Sequence, residues 1–217
     1  MLVLLVPEPD VRARTVLAAS WLTPSEMARL RGFGTEARRE TFVAGRWLAR
    51  RAVQRWLGCD RLPVLDVVDD GVCRVADVDG VYVSISHSAG FIACVASGVP
   101  VGVDLESLAR PRDHIALAEA VHGQAQREQL AALSADVRAL TFLRWWTLKE
   151  AWLKARGRGL DFALMRALAF DDGAPSDAAV TYVGDLVLAV VAHAALPPRI
   201  DGPPEVDWQR CRSRLIA

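Results

Sequence analysis

Thr141-Phe-Leu-Arg-Trp-Trp-Thr-Leu-Lys-Glu-Ala-Trp-Leu-Lys154 echoes Thr41-Phe-Val-Ala-Gly-Arg-Trp-Leu-Ala-Arg-Arg-Ala-Val-Gln54, and the pair decides the fold. Both stretches open on Thr-Phe and both space their apolar residues as helices do. A second echo follows each. Residues 81–96 (VYVSISHSAGFIACVA) and 180–192 (VTYVGDLVLAVVA) are each two β-rich runs around a tight glycine-containing turn, the pattern of a hairpin. Helix followed by hairpin thus occurs twice. The repeat predicts an α+β fold, a pseudo-twofold arrangement of two similar α/β halves. The boundary falls near Ser97–Pro100, giving an N-terminal half over 1–99 and a C-terminal half over 100–217.

Working outward, Val101–Glu106 opens the second half as a strand, and residues 114–133 read as helix with a break at Gly123. A long helix starting near Asp136 ends at Gly157–Gly159. Residues 197–204 are rich in Pro and Gly and read as irregular. The chain has 217 residues, 52% of them hydrophobic, which is enough for a large core. A formal net charge of zero gives no support to general nucleic-acid or anionic-membrane binding. Cys59, Cys73, Cys94 and Cys211 are scattered, with no C-x-x-C pair, and suit structural thiols in a reducing compartment. The run Met1–Val6 is too short for a signal core, and no apolar stretch reaches membrane length, so the expected location is the cytoplasm.

Four stretches can carry chemistry. In Val101-Gly-Val-Asp-Leu-Glu106, strand alternation points Val101, Val103 and Leu105 to a core, leaving Gly102, Asp104 and Glu106 on the other face. Two carboxylates roughly 6–7 Å apart on a shielded face repel by about 2–3 kcal/mol at an effective dielectric near 20. A cation between them relieves that, and oxygen ligands suit Mg²⁺; Gly102 would clear space for it. The plainer alternative is a solvated strand face. The second segment holds Lys149 and Lys154, the two lysines among 26 basic residues. A compact ammonium follows a phosphate better than the wide guanidinium fork does. Phe142, Trp146, Lys149 and Leu153 share one side of this helix, and Trp145, Leu148 and Trp152 another, so it is buried and its polar members face something specific. Either Glu150 completes a metal site with the lysines neutralising phosphate, or Glu150 and Lys154 form an internal i,i+4 pair. The third segment is Ser84-Ile-Ser-His-Ser88, where His87 and Ser86 can bind a phosphate, although a lone histidine on such a face is more often structural. The arginines between 29 and 55, Arg29 and Arg46 among them, read mostly as a solvated basic face.

These segments, in this order, resemble the surfactin-synthetase type of 4′-phosphopantetheinyl transferase. The matching residues are Ser86-His87-Ser88, Val101–Glu106, Trp146-Thr-Leu-Lys-Glu-Ala-Trp-Leu-Lys154 and Gly157-Arg-Gly-Leu160. Upstream, Arg31-Gly-Phe33 and Gly45-Arg-Trp-Leu-Ala-Arg50 match the family's N-terminal helical region. The resemblance implies the family's pseudo-dimeric fold and an enzyme moving phosphopantetheine from coenzyme A to a serine of an apo acyl or peptidyl carrier protein, with release of 3′,5′-ADP. It implies Mg²⁺ on Asp104, Glu106 and Glu150, with Glu150, Lys154 and His87 in catalytic roles. Coenzyme A contacts would fall to Arg29, Arg46, Arg74, Ser86, His87, Lys149 and Lys154. A monomer is implied, because the two halves supply their own interface; from the charge balance and the lack of a long apolar stretch, neither nucleic acid nor membrane is expected as a partner. Two departures stand out: Asp70-Gly-Val-Cys-Arg74 replaces the family's Gly-Lys/Arg-Pro, and Val121-His122-Gly123 replaces an aromatic ahead of the carrier-facing segment. The rival readings are another Mg²⁺-dependent phosphotransferase and a non-catalytic coenzyme A or carrier binder. A Walker-type phosphate loop is absent from the sequence.

Overall fold

The computed structural model describes residues 1–15, 19–68, 72–197, 199–204 and 206–216. The first strand, β1 (Leu2–Pro7), is followed by α1 (Glu8–Thr15), α2 (Pro24–Arg31) and the 22-residue α3 (Glu36–Leu57). The short pair β2 (Leu65–Val67) and β3 (Cys73–Val75) leads to the hairpin β4 (Tyr82–Ser88) and β5 (Phe91–Ser97). After β6 (Val101–Ser107) come α4 (His114–Val121), α5 (Gln124–Ala131), the 21-residue α6 (Ala135–Ala155) and α7 (Phe162–Ala167). The chain closes with β7 (Leu168–Asp172), β8 (Ala178–Val183), β9 (Leu186–Ala192) and β10 (Gln209–Leu215).

Both echoes are borne out. Residues 41–54 and 141–154 lie inside α3 and α6, and the two hairpins form antiparallel pairs, with Ile85 opposite Cys94 and Val180 opposite Ala189. Ala89 and Gly90, at φ of 49° and 76°, make the β4–β5 turn with both central residues in the left-handed region, as a two-residue hairpin loop of the primed type requires. The break at Gly123 separates α4 from α5 as expected. Strand β10 was not expected; its charged sequence QRCRSRL carries no apolar alternation. It is recruited by pairing with both β7 and β8.

The strands form a three-stranded sheet in the order β1-β5-β4 and a five-stranded sheet in the order β6-β9-β8-β10-β7. Alternation along each strand assigns its two faces. On β5, Ile92, Cys94 and Ala96 pack under Ala44, Leu48, Ala52 and Val53 of α3, while Ala93 and Val95 turn the other way. On β9, Val187, Ala189 and Val191 pack under Phe142, Leu148, Ala151 and Trp152 of α6. The opposite face, Leu188 and Val190, meets Ala93, Val95, Val103 and Leu105. The result is helix, sheet, sheet, helix, the mixed α+β architecture read from the repeat.

The expectation for β6 holds for its faces but not for the purpose of its glycine. Val101, Val103 and Leu105 enter the inter-sheet core, and Gly102 faces α6. A Cβ on Gly102 would lie 2.0 Å from the Ala151 carbonyl oxygen and 2.6 Å from the Ala155 nitrogen. The missing side chain therefore makes room for the helix backbone, not for a ligand. Gly102→Ala is expected to lower stability by about 2–3 kcal/mol in urea unfolding, the usual size of an overpacking penalty. Gly98→Ala, whose Cβ would meet nothing within 4 Å, should stay within about 0.5 kcal/mol of the parent.

Candidate active site

β6 is the edge of the larger sheet, and β4 lies against it without a backbone ladder. The outward N–H groups of Val103 and Leu105 donate instead to the Oγ atoms of Ser84 and Ser86, both at 3.2 Å. The Val103 carbonyl accepts from Lys154 Nζ at 3.2 Å. Side chains thus satisfy a strand edge that would otherwise be left unpaired. The period-two spacing of Ser84, Ser86 and Ser88 puts all three on this seam.

The same contacts fix the carboxylates. Asp104 Oδ1 accepts from Ser86 Oγ at 2.8 Å and from Lys154 Nζ at 2.7 Å, while Oδ2 is buried without a partner. Glu106 Oε2 accepts from Ser88 Oγ at 3.3 Å and from Arg112 Nη2. Glu150, reaching in from α6, takes no hydrogen bond from the described residues. Burial, then the negative charge of Asp104, push its carboxyl up to about 7, with Lys154 opposing and Glu106 adding a smaller push. Asp104, Glu106, Glu150 and Lys154 therefore share one electrostatic neighbourhood, as expected. The i,i+4 alternative does not form: Lys154 pairs with Asp104 rather than Glu150.

The donor set has the right chemistry for a divalent cation. All its members are oxygen donors, one of them a buried carboxylate oxygen with no partner, and like charges raise a neighbouring carboxyl. Among the described residues, however, no three His, Cys, Asp or Glu side chains are gathered closely enough to hold a metal as they stand. The cations of Lys154 and Arg112 hold one oxygen each of Asp104 and Glu106 instead.

Three adjoining cavities make a groove past this cluster. One of about 480 Å³ is lined by Arg29, Arg38, Phe42, Arg46 and His87. A second, of about 260 Å³, shares Arg46 with the first and adds Cys73, Glu150, Lys154 and Arg158. The third, of about 560 Å³, shares Lys154 and Cys73 with the second and adds Arg74, Arg156 and His193. Arg46 is 4% exposed, lies 3.9 Å from Glu26 and over the Phe42 ring, and its Nη1 has no partner. Arg50 is held by Glu26 at 2.6 Å beneath it. Partial burial of its ring, then the Lys154 charge, hold His87 below the ordinary histidine value. A separate cavity of about 710 Å³ beside Trp47 and Arg51 touches none of Asp104, Glu106 and Glu150.

Two expected ligands are corrected. Lys149 does not face the groove. It is fully buried and donates to the Val121 carbonyl, His122 Nδ1 and Gln126 Oε1 at 2.9, 2.7 and 2.8 Å, which fastens α6 to the α4–α5 corner. Burial brings it down to about 7 and, with the Lys149 charge, holds His122 at about 3, so the imidazole is neutral and accepts. Ser86 is committed to the seam, and on a strand it points to the face opposite His87, so the two do not form one phosphate cradle. Arg29 and Arg74 are exposed at the two ends of the groove. Of the stretch Asp70–Arg74, Asp70 and Gly71 lie outside the described residues. Sequence reasoning missed Ser84, Arg112 and Arg158. The alternation of serines signalled the first and the Gly157-Arg-Gly-Leu160 match the third; nothing in the sequence signalled Arg112.

The chain is a fold of two helix-covered sheets with an acidic cluster and a basic groove at their seam. Family models place it further. The 4′-phosphopantetheinyl transferase N-terminal domain matches residues 33–97 and the 4′-phosphopantetheinyl transferase superfamily matches residues 100–190, so the chain belongs to that superfamily. The 4′-phosphopantetheinyl transferase HetI of Nostoc sp. is 31% identical over 147 residues, 65% of this chain and 62% of the relative. The 4′-phosphopantetheinyl transferase Sfp of Bacillus subtilis is 23% identical over 146 residues, 67% of this chain and 64% of the relative. The chain thus spans a little under two thirds of the length of these relatives. The crystal structure of Thermotoga maritima holo-[acyl-carrier-protein] synthase (AcpS) is 20% identical, covering 43% of this chain and 61% of its own, with a TM-score of 0.32. No helix among the described residues is long and apolar enough to cross a membrane.

The raised carboxyl of Glu150 has a consequence for stability. Between about 4.5 and 7 the folded chain binds the Glu150 proton more tightly than the unfolded chain, so this group costs stability as pH rises through that window. Without divalent cations, Glu150→Gln should be more stable than the parent by on the order of 2 kcal/mol at pH 8 in urea unfolding. The gap should close below pH 4.5.

Proposed function

We propose that this chain transfers the 4′-phosphopantetheine group of coenzyme A to a serine of an apo acyl or peptidyl carrier protein and releases 3′,5′-ADP. The observation that carries the reading is the convergence of Asp104, Glu150 and Lys154 where the groove is also lined by Arg46 and Arg158. That is the arrangement a diphosphate between two reacting groups requires, because phosphoryl transfer depends chiefly on positioning and neutralisation of charge.

The carrier serine hydroxyl attacks the phosphorus bearing the pantetheine arm, and the bond to the 3′,5′-ADP oxygen breaks. Glu150 takes the serine proton, directly or through a water. Lys154 neutralises charge growing on the diphosphate as the bond breaks. The unpaired Nη1 of Arg46 donates to the same group, and Arg29, Arg38 and His87 receive the 3′-phosphate end in the adjoining cavity. A divalent cation, Mg²⁺ by the preference of its oxygen donors, would be held by Asp104, Glu106 and Glu150 and would supply Lewis-acid neutralisation when bound. We take the two halves, 1–99 and 100–217, to work as one monomeric unit in the cytoplasm, with the seam between them as the site.

The test is mass spectrometry of a panel of apo acyl and peptidyl carrier proteins incubated with the protein, coenzyme A and Mg²⁺. The expected product is a carrier carrying one added phosphopantetheine. Glu150→Gln should lower turnover by about 100-fold or more while remaining folded. No mass gain on any carrier overturns the proposal, and nucleotide release without carrier modification points to a different phosphotransferase.

A further inference from the structure

The two strand carboxylates are held in the same manner. Asp104 gives one oxygen, Oδ1, to a β4 serine and a cation, Ser86 and Lys154, and leaves Oδ2 without a partner. Glu106 gives one oxygen, Oε2, to the next serine on that face and to a cation, Ser88 and Arg112, and no described residue donates to Oε1. The serines are two residues apart on β4 and the carboxylates two apart on β6, so the arrangement repeats in register along the seam.

A purely stabilising arginine–carboxylate pair does best as a two-pronged fork that occupies both oxygens. Here Arg112 and Ser88 crowd onto one oxygen, and both partners of the ion pair are mostly buried, at 13% and 16% side-chain exposure. Arg112 reaches back from the loop just before α4, six residues beyond the acid it holds. This geometry costs Glu106 its rotational freedom without using up its coordinating capacity. Carboxylates that bind metals are characteristically held in this way by outer partners.

We propose that Ser88 and Arg112 are positioning residues for Glu106, a clamp that presents Oε1 to the divalent cation as Ser86 and Lys154 present Oδ2 of Asp104. The inference rests on the function proposed above and adds to it two residues to which no role was attached. Arg112 acts through Glu106 and touches neither substrate nor metal. Its positive charge opposes a nearby cation, so the clamp is worth having only if the gain in orientation exceeds that repulsion.

Mn²⁺ binding to the whole chain, followed by the paramagnetic resonance signal of free Mn²⁺ with and without coenzyme A, reads this directly. Ser88→Ala changes no charge and should weaken Mn²⁺ binding by about 10-fold, with Ser88→Thr restoring it. Arg112→Gln should also weaken binding, and Arg112→Lys should retain most of it, while melting temperatures confirm that each variant is folded. Unchanged Mn²⁺ affinity in Ser88→Ala and Arg112→Gln, or tighter binding in Arg112→Gln, overturns the clamp and marks Arg112 as a structural or competing cation. If those results come with normal carrier modification by the parent, the clamp fails and the function stands. If the parent binds no Mn²⁺ even with coenzyme A, the metal and the clamp both fall.

Discussion

The groove depends on how closely α6 lies on β6. Gly102 lets the backbone at Ala151 and Ala155 approach the strand to a distance that any side chain would block. That approach brings Lys154, one turn beyond Glu150, to the outer edge of β6. There its ammonium takes both a strand carbonyl and the Asp104 carboxylate. The edge itself has backbone groups that need partners, and the serines of β4 supply them. One steric allowance and one hydrogen-bonding obligation therefore join the two sheets, seat the cation and aim the acids. The polar seam serves structure and chemistry with the same atoms.

The charges at the seam are unevenly satisfied. Glu26 and Arg50 form a buried pair with close contacts, and the Thr23 N–H donates to the same carboxylate, so that acid is satisfied while Arg50 Nε has no partner. Asp104 Oδ2 and Arg46 Nη1 are buried without partners, and Glu150 is pressed toward its neutral form. Unsatisfied buried groups of opposite sign along one groove are costly to the free protein, and the ligand proposed above, with its phosphate oxygens and a cation, would relieve them. Stability given up locally in this way is common where a site must bind charge. The two lysines divide along the same line. Lys149, enclosed by a carbonyl, an amide and an imidazole, holds α4 and α5 against α6, whereas Lys154 stands at the groove with a partly exposed side chain.

The long-range periodic features were legible because each is a local statement repeated. Thr41–Gln54 and Thr141–Lys154 read as helices from their own spacing, and the hairpins read from β-rich runs around a short turn. Val101, Val103 and Leu105 fell on the core side because strand alternation leaves no other choice. Charged β10 escaped notice because its strand character comes from its neighbours β7 and β8 rather than from its residues. Lys149 was misassigned for a related reason. Its side of the helix was read correctly as buried, yet the wheel cannot say whether a polar residue there meets a ligand or, as here, another part of the chain.

The sequence by itself determined the two long helices, the doubling of helix and hairpin, the sidedness of β6 and the acid and lysine set, all of which follow from composition and spacing within short windows. Tertiary structure alone decided which oxygen of each carboxylate is occupied, which lysine reaches the groove and that Gly102 serves a helix backbone. It alone brought Arg112 back onto Glu106. Those outcomes depend on distances of a few ångströms between segments far apart in the chain, set by the packing of α6 on β6 and of β4 along its edge. No local pattern of residues encodes such a distance.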